Sequence, residues 1–376
     1  MSGIIIGADF IPKKSNLDLF VAGDVKELFG SELLQIIQSS DYRIFNLELP
    51  LTDELHPIDK QGPCLSGPTA AVNGYTAAGV DLVTLANNHI MDQGPQGLES
   101  TLRLLRERGI RFVGAGEDLC AASEPAVFEV YGKRIGVYAC AEHEFSIAKA
   151  HTPGANPFDP LFSLDHVAEL KERCDYVIVL YHGGKEYYRY PSPDLQRVCR
   201  RFVDKGADLV LCQHSHCIGC EERFGTGMIV YGQGNFLFDG ADTEFWQTSL
   251  LVSVGEDLSI TYIPLRKKGP VVRLAEGDEG EKILEEFRSR SLEIQRDGLL
   301  EEKYREFAAG YAESYFRAFA GRRSLVFRAL NKLSGGRYGS WRLRRAYDKR
   351  ARIRLENYVS CEAHRELLLQ GLKIVR

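Results

Sequence analysis

The sequence of 376 residues lacks any long hydrophobic run. No apolar stretch approaches the roughly 20 residues that an α-helix needs to cross a bilayer, and the mean hydropathy is -0.21. The first ten residues contain no basic cluster and only a three-residue apolar run, so we expect a first buried strand there instead of a signal peptide. Both absences lead us to expect a cytoplasmic protein.

A second Cys-x-x-Cys pair is also missing. Cys217 and Cys220 form the one such pair among nine scattered cysteines, so a closed site of four thiolates is excluded. In a reducing compartment we expect most of these cysteines to act as small apolar core residues. The sequence contains no recognised nucleic-acid-binding module, and no nucleic-acid partner is expected.

Acidic residues are almost absent from one segment. Residues 321–355 contain twelve Lys or Arg and a single acid, Asp348, which gives a local charge of +11. Because the whole chain carries -5, the other 341 residues carry -16. Such asymmetry indicates contact with a polyanion or an anionic surface. The alternative is a solvated helix face whose charges meet acidic partners within the fold.

Short apolar runs alternate with amphipathic helical patterns from residue 1 to about residue 265. This alternation predicts a layered α/β core, partly antiparallel after residue 229 because little helix separates the last strands. The predicted strands are 4–6, 42–46, 82–85, 134–138, 176–181, 209–212, 228–231 and 250–254, and the predicted helices are 95–108, 164–173 and 192–205.

The pattern becomes helical throughout after about residue 275. Segments 281–296, 299–320 and 342–368 have helical spacing, and glycines interrupt the pattern between them. We therefore predict two domains, an α/β domain over residues 1–270 and a helical, basic extension over residues 271–376.

Polar side chains follow five of the predicted strands. Because ligands bind at the carboxyl ends of strands in an open α/β sheet, we expect these five sets to meet at one site. Carboxylate, amide and imidazole donors without thiolate suit Zn, Mn or Fe, and this many ligands can hold one or two divalent ions. The sets are Asp9, Asn46 with Glu48, Asn87 with Asn88 and His89, His182, and His214 with His216.

Five motifs then resemble those of a known family. In chain order they are residues 46–52 (NLELPLT), 85–89 (LANNH), 92–94 (DQG), 181–187 (YHGGKEY) and 232–236 (GQGNF). They are similar to the signatures of the CapA family of poly-γ-glutamate capsule synthesis proteins, within the calcineurin-like metallophosphatase superfamily. The resemblance covers roughly residues 3–240 and implies a four-layer α/β/β/α sandwich with a metal site at the carboxyl edge of the sheets.

The resemblance also implies a role for each matching residue. Asp9 resembles the first metal-binding aspartate, with Asp24 as a competing candidate, and Glu48 resembles a carboxylate that bridges two metals. His89 resembles the residue that protonates a leaving group, so His89 and Glu48 are the expected catalytic residues. The implied metal ligands are Asp9 and His216 at the first ion, Glu48 as the bridge, Asn88 as the amide ligand, and His182 and His214 at the second ion.

Two positions depart from the superfamily pattern. Ile11 stands where a metal-binding histidine is usual, and Ile90 replaces the acid that follows the Asn-His pair. The first metal site is therefore one ligand short, which favours one tightly bound ion and one weakly bound ion.

Four further polar residues are candidates for substrate binding or for support of the ligands. Glu142 and Glu144 end a predicted strand at the same edge and could hold substrate amines, act as a general base, or be surface loop charges. Glu186 lies near His182 in sequence and could line the pocket. Asn235 follows two glycines and is expected to orient a metal-binding histidine.

The helical extension carries an apolar stripe next to its basic run. The stripe could pack on the α/β domain, or it could join residues 321–355 in a basic amphipathic surface for the inner membrane leaflet. A third interpretation is that the basic surface holds an anionic polymer such as polyglutamate. The stripe consists of Phe307, Tyr311, Tyr315, Phe316, Phe319, Phe327 and Leu330.

The sequence as a whole predicts a metal-dependent hydrolase of capsule or cell-surface polymer metabolism that cleaves an amide or phosphoester bond. Its partner would be an anionic polymer or a small-molecule substrate. Two alternatives stay open: a non-catalytic assembly factor that binds polyanions, and a phosphodiesterase or phosphatase unconnected with capsule.

Overall fold

The computed structural model describes residues 3–320 and 325–374. The chain forms two compact units, of which the first ends at Tyr304 and the second begins at Arg305. Unit 1 contains two large β-sheets, and unit 2 is helical in its described residues.

The first sheet has seven strands in the order β15-β14-β13-β1-β2-β3-β4. Strands β1 to β4 run parallel, whereas β13, β14 and β15 pair antiparallel along one side, as the lack of helix between the last strands predicted. Their bounds are β1 Ile4–Asp9, β2 Tyr42–Asn46, β3 Leu82–Thr84, β4 Arg111–Val113, β13 Thr248–Val254, β14 Ile260–Lys268 and β15 Val271–Leu274.

The second sheet has six strands in the order β11-β12-β10-β9-β7-β6. Strands β7, β9, β10 and β12 are parallel, and the outer strands β6 and β11 are antiparallel. Their bounds are β6 Ala126–Val130, β7 Lys133–Ala141, β9 Tyr176–His182, β10 Leu209–Gln213, β11 Glu221–Phe224 and β12 Gly227–Val230; β5 Ala115–Gly116 and β8 Gly154–Ala155 pair separately.

The two sheets face each other, and helices cover both outer faces. Apolar residues of the two sheets form one core between them, helices α1 to α4 pack on the first sheet, and α6 and α7 pack on the second. This is the predicted four-layer α/β/β/α sandwich. The helices of unit 1 are α1 Leu17–Ala22, α2 Val25–Ser39, α3 Val72–Ala77, α4 Gly94–Glu107, α5 Leu119–Ser123, α6 Ser163–Arg173, α7 Pro193–Asp204, α8 Glu244–Gln247 and α9 Gly277–Glu293.

The near-continuous apolar sequence of the central strands follows from this layering. Successive side chains of a strand point to opposite faces, so a strand covered on both sides is apolar at every position. In β1, Ile4 and Ile6 face the other sheet, and Ile5 faces the helices. Several short outer strands were not predicted, because strands such as β4 and β11 are partly exposed and contain charged residues that dilute the apolar signal.

Helix α9 belongs to unit 1, although its sequence resembles that of the extension. Phe287 of α9 is buried in the core between the sheets, and the Arg290 guanidinium donates a hydrogen bond to the Gly219 carbonyl at 2.8 Å. The compact units therefore divide after Tyr304, whereas the change in sequence pattern lies near residues 270–280.

The later helices confirm the helical pattern predicted for the extension. They are α10 Leu299–Phe319, α11 Leu325–Leu333, α12 Arg337–Ala346, α13 Lys349–Ser360 and α14 Glu362–Ile374. Segment 342–368, which has helical spacing, is divided among α12, α13 and α14, because Asp348 and Cys361 have extended backbone, and the Asp348 carboxylate caps α13 by accepting from the Ala351 amide. Among the described residues, no helix combines the length and apolarity needed to cross a membrane.

Candidate metal centre

The strand ends of both sheets place the predicted ligands at one edge of the sandwich. Asp9 ends β1, Glu48 follows β2, and Asn88 follows β3, while His182 ends β9 in the other sheet. Strands β1, β2 and β3 are parallel to one another, as are β9 and β10, so their carboxyl ends lie together in each sheet. His214 and His216 follow β10 in a loop that reaches the same place.

That loop has an uncommon backbone conformation. His214 has φ 100° and His216 has φ 53°, in the left-handed region that costs a non-glycine residue about 1–3 kcal/mol. Backbone hydrogen bonds hold the loop, since the Tyr187 amide donates to the Ser215 carbonyl at 2.8 Å. Gly232 packs against it, where a Cβ atom would lie 2.7 Å from Ser215 Oγ. The fold thus forces both imidazoles into the site.

Glu48, His214 and His216 form the centre of the site. Each offers one ligand atom, these atoms lie within 4.8 Å of one another, and all three residues are buried. Asp9 and His182 flank them, with Asp9 Oδ2 at 3.4 Å from His216 Nδ1 and Glu48 Oε1 at 3.4 Å from His182 Nε2. Asn88 Oδ1 is 3.1 Å from His182 Nε2. All six predicted ligands therefore lie in one connected cluster.

Several polar atoms of this cluster are buried without partners. Glu48 Oε2, His182 Nδ1 and His214 Nδ1 have no hydrogen-bond partner among the described residues. Leaving a buried polar atom unpaired is costly, so unpartnered buried atoms in a cluster of carboxylate and imidazole favour a metal-binding site. The donor set suits Zn, Mn or Fe, as expected from the sequence.

Burial and neighbouring charges shift the pKa values of the Asp9 and Glu48 carboxyls. Burial, and then the nearby Glu48 carboxylate, raises the pKa of Asp9. Burial also opposes ionisation of Glu48, but the imidazoles of His182, His216 and His89 outweigh it and lower the pKa of Glu48. Glu48 is thus the carboxylate that the surroundings keep ionised.

The pKa values of His214 and His216 are also shifted in opposite directions. Burial, followed by the proximity of His182 and His216, holds the pKa of His214 well below its ordinary value. His214 therefore stays neutral, which is the form that binds a metal. For His216, burial is outweighed by hydrogen bonding to Asp9 and by the Glu48 charge, which raise its pKa to about 9.

Asn235 orients His216, as the sequence predicted for a supporting residue. Its Oδ1 accepts from His216 Nδ1 at 2.8 Å, which leaves His216 Nε2 for the metal cluster. On the other side of the ring, Trp246 stacks on His216 with centroids 5.0 Å apart and planes 18° apart. The ring is thus held both by a hydrogen bond and by stacking.

Asn46 and Asn87 form a chain of hydrogen bonds that ends on Asp9. Asn46 Nδ2 donates to Asp9 Oδ1 at 2.6 Å, and Asn87 Nδ2 donates to Asn46 Oδ1 at 3.1 Å. Both asparagines belonged to the five polar sets, but neither was predicted to support a ligand. The strand-end position was the only signal in the sequence that could have identified them.

His89 lies at the margin of the cluster with two charged partners. Its Nδ1 is 2.6 Å from Asp92 Oδ2, and the buried Lys60 ammonium contacts Asp92 Oδ1 at 2.5 Å. Asp92 also accepts from the Leu65 amide at 2.6 Å. Sequence reasoning missed Lys60, because a lysine in an irregular loop about thirty residues before its partners carries no local pattern.

The acidic candidates take different positions. Glu144 Oε2 accepts from Asn88 Nδ2 at 3.0 Å, and Glu142 Oε1 accepts from the Gly184 amide at 3.1 Å. Glu142 and Glu144 therefore border the ligands Asn88 and His182. Glu186 is exposed, and the described residues show no hydrogen bond or ion pair between it and the cluster.

The remaining alternatives from the sequence have structural roles. The Asp24 carboxylate caps α2 by accepting from the Glu27 amide at 3.0 Å, so Asp9 is the aspartate of the cluster. Ile11 and Ile90 are fully buried in the core beneath the first sheet, where neither can supply a ligand. Cys217 and Cys220 are buried, and burial raises the pKa of the Cys217 thiol to about 11, as befits core residues.

Comparisons by sequence relate this chain to bacterial capsule synthesis proteins. Residues 7–240 match the family model described as "Bacterial capsule synthesis protein PGA_cap". The capsule biosynthesis protein CapA of Bacillus anthracis is 29% identical over 62% of this chain and 61% of its own length. The PGA biosynthesis protein CapA of Bacillus subtilis (strain 168) is 30% identical over 57% of this chain and 58% of its own length.

Similarity to solved structures is more distant. A phosphatase structure from Mycoplasma pneumoniae aligns with a TM-score of 0.44 at 14% identity, over 71% of this chain and 94% of that chain.

The matches to the two curated relatives span about three fifths of each relative's length. The family model covers more than half of the chain and includes every residue of the metal cluster. The chain belongs to the PGA_cap family of bacterial capsule synthesis proteins.

Proposed function

We propose that this protein is a metal-dependent hydrolase of poly-γ-glutamate-type capsule or cell-surface polymer metabolism, acting on an amide or phosphoester bond. The observation that carries the proposal is the buried cluster of Glu48, His214 and His216, flanked by Asp9 and His182, with three unpartnered polar atoms. The capsule and PGA names of the curated relatives support the choice of polymer.

The ligands of the proposed site come from both sheets. Glu48, His182, His214, His216 and Asp9 would hold one or two divalent ions. When bound, such ions would supply Lewis-acid chemistry for the scissile bond and for water. Because both sheets contribute strand ends, the ligands are fixed by the packing of the sandwich itself. Such rigidity keeps the ligand atoms in place without an ordering cost when an ion binds.

His89 would be the residue that moves a proton. Asp92 accepts from His89 Nδ1, so the carboxylate fixes the ring orientation and leaves Nε2 for exchange with a leaving group. Lys60 anchors the opposite oxygen of Asp92, which prevents that carboxylate from turning away. The His89 side chain is 13% exposed, so a substrate can reach it, whereas Lys60 and Asp92 are inaccessible.

The test combines metal analysis with turnover. Purified protein is analysed for bound Zn, Mn and Fe, and is then assayed against polyglutamate, generic amides and generic phosphoesters. We expect His89→Gln to retain the metal and lower turnover by about 100-fold or more, within the range of general acid–base catalysis. Glu48→Gln should lose both metal and turnover.

The control is a histidine outside the cluster. His151 is exposed, and His151→Gln should leave metal content and turnover at the wild-type level. Turnover unchanged in His89→Gln would contradict the role of His89. Absence of turnover on every substrate by metal-loaded wild-type protein would contradict the hydrolase itself.

A second candidate function is a non-catalytic assembly factor that binds polyanions. Ile11 and Ile90 favour it, because buried isoleucines stand where the related enzymes have a ligand and an acid. In that case metal-loaded protein would bind polyglutamate tightly without cleaving it. Cleavage of phosphoesters alone would instead favour a phosphatase or phosphodiesterase unconnected with capsule.

A further inference from the structure

Helices α11 and α12 of unit 2 form a short hairpin, called here the basic hairpin (residues 325–346). The helices meet along a seam in which Phe327 packs on Tyr338, with ring centroids 5.5 Å apart, and Leu343 is buried. Asn331 Oδ1 accepts from the Gly339 amide at 2.8 Å, and the turn uses Gly335 and Gly336 in left-handed conformation. The seam fixes which side chains remain on the outside.

The charged side chains of the basic hairpin are all cationic. The hairpin contains six Lys or Arg and no Asp or Glu. All six cations are exposed, and none lies within ion-pair distance of a carboxylate among the described residues. They are Arg328, Lys332, Arg337, Arg342, Arg344 and Arg345. Arg322 and Arg323, which also contribute to the predicted basic run, lie outside the described residues.

Apolar side chains are exposed next to these cations. Val326, Leu330 and Leu333 follow one another at i, i+4 and i+7, so they share one face of α11, and Val326 and Leu333 are 70% and 84% exposed. On α12, Trp341 is 48% exposed between Arg337 and Arg345, and the Arg345 guanidinium lies 5.1 Å from its ring centre. The hairpin thus combines exposed aliphatic groups, an exposed indole and unpaired cations.

We propose that the basic hairpin docks this protein on the surface of an anionic lipid bilayer. Lipid phosphates would neutralise the six cations, and the headgroup–acyl boundary would take Val326, Leu330, Leu333 and Trp341 out of water. Indole rings favour that boundary because one end is apolar and the other can hydrogen-bond. A soluble polyanion would neutralise the arginines but leave the aliphatic side chains in water.

Helix α13 continues the same surface chemistry. Lys349, Arg350, Arg352 and Arg354 are exposed there, together with Ile353. None of these residues belongs to the metal cluster, so the proposal stands apart from the proposed hydrolase activity. It gives a role to the local charge of +11 that the sequence places in residues 321–355.

The experiment is co-sedimentation of the full chain with vesicles. Vesicles of phosphatidylcholine alone are compared with vesicles containing 30 mol% phosphatidylglycerol, at 0.05 M and 0.5 M KCl. We expect binding to the anionic vesicles at low salt, at least tenfold weaker binding at 0.5 M salt, and no binding to neutral vesicles. The salt effect follows from a Debye length that falls below ~10 Å above 0.1 M.

Paired substitutions separate charge from apolar contact. Arg344→Glu/Arg345→Glu and Leu330→Ser/Leu333→Ser should each weaken vesicle binding at least tenfold, while circular dichroism of the full chain stays unchanged. The matched control is Arg103→Glu/Arg197→Glu, which reverses two exposed arginines of unit 1 and should not alter binding. Equal loss in the control would show that only net charge matters and would overturn the proposal.

Trp341 reports insertion directly. Vesicles with brominated acyl chains should quench the fluorescence of wild-type protein, and Trp341→Phe should abolish that quenching while Trp246 remains. Vesicle binding that leaves Trp341 unquenched would overturn the apolar part of the proposal. Binding to polyglutamate or RNA that matches vesicle binding, and is insensitive to Leu330→Ser/Leu333→Ser, would identify a polyanion surface instead.

Discussion

Asp9 and Glu48 are both almost completely buried, yet their surroundings shift the pKa values of the two carboxyls in opposite directions. Burial raises the pKa of Asp9, whereas the imidazoles around Glu48 outweigh burial and lower its pKa. Glu48 is also the carboxylate that lies with His214 and His216 in the three-residue cluster. The ligand most ready to bind a cation is therefore the one at the centre.

This difference predicts unequal contributions to metal binding. His214→Ala removes a neutral imidazole from the central cluster and should reduce metal affinity by at least tenfold. Asp9→Ala removes a flanking carboxylate and should reduce it less. Metal content after desalting, measured by mass spectrometry, should be one ion per wild-type chain and close to zero for His214→Ala. Calorimetric titration that shows two equally tight ions would contradict the prediction.

Lys267 is a buried cation near the site whose charge opposes folding. Burial lowers the pKa of Lys267 to about 8, and its ammonium donates to the Phe238 carbonyl near the Trp246 ring. Between pH 8 and the ordinary lysine value of 10.5, the unfolded chain binds more protons at this position than the folded chain. This contribution to the free energy of unfolding therefore rises with pH across that window.

Lys267→Met isolates the contribution, because Met has similar length and does not titrate. The stability of wild type relative to Lys267→Met should stay constant below pH 7 and rise between pH 8 and 10. Urea unfolding at pH 7, 8.5 and 10 in the presence of a chelator measures the difference. A difference that does not change with pH would show that the ammonium stays charged in the folded protein.

Between elements, the close approach of α6 to β7 depends on a glycine. A Cβ atom at Gly136 of β7 would lie 2.7 to 2.9 Å from the Leu170 side chain of α6. Leu170 is itself fully buried in the outer core of the second sheet, so it has little room to move. The contact between Gly136 and the Leu170 side chain therefore limits how closely α6 can approach β7.

Gly136→Ala should lower the free energy of unfolding by about 1–3 kcal/mol, the usual cost of overpacking a core. Gly136→Ala/Leu170→Val should recover part of that loss, because the shorter side chain makes room for the new methyl group. Urea unfolding of Gly136→Ala, Leu170→Val and the double variant gives the coupling free energy between the two positions. Additive losses would mean that the glycine is needed for backbone conformation instead of for space.

The elements that sequence patterns predicted are those buried on both faces. Central strands such as β9 are buried at every position and consist of apolar and aromatic residues up to the final His182, and this run is visible without knowledge of the fold. Edge strands such as β11 consist mainly of charged residues, as a loop does, so their pairing depends on neighbours distant in sequence. The breaks between α12, α13 and α14 were missed because helical spacing continues across them.

At the scale of the whole molecule, the two units separate two kinds of chemistry. Every residue of the metal cluster lies in unit 1, and the basic hairpin lies in unit 2. Helix α9 stabilises unit 1 although its composition resembles that of the extension, since Phe287 is buried between the sheets.

Truncation should reveal this division. A chain ending at Tyr304 should fold, bind metal as the full chain does, and no longer bind anionic vesicles. A chain ending at Ala275 should be destabilised by at least the roughly 3–5 kcal/mol expected for loss of a buried Phe, because α9 is absent. Thermal unfolding and metal content of the two truncated chains check this. Equal stability of both would mean that α9 contributes little to unit 1.

The sequence by itself determined the layered α/β class, the positions of the central strands and the polar residues at their ends. These follow from local rules, namely apolar runs for strands covered on both faces and polar residues where such strands end. Only the tertiary structure decided which of these residues meet. Asp9 contacts His216, and Lys60 contacts His89, although the segments that carry them are far apart in sequence. Asp24, in contrast, caps helix α2. Such meetings depend on the register and packing of two sheets, and no local pattern of residues encodes them.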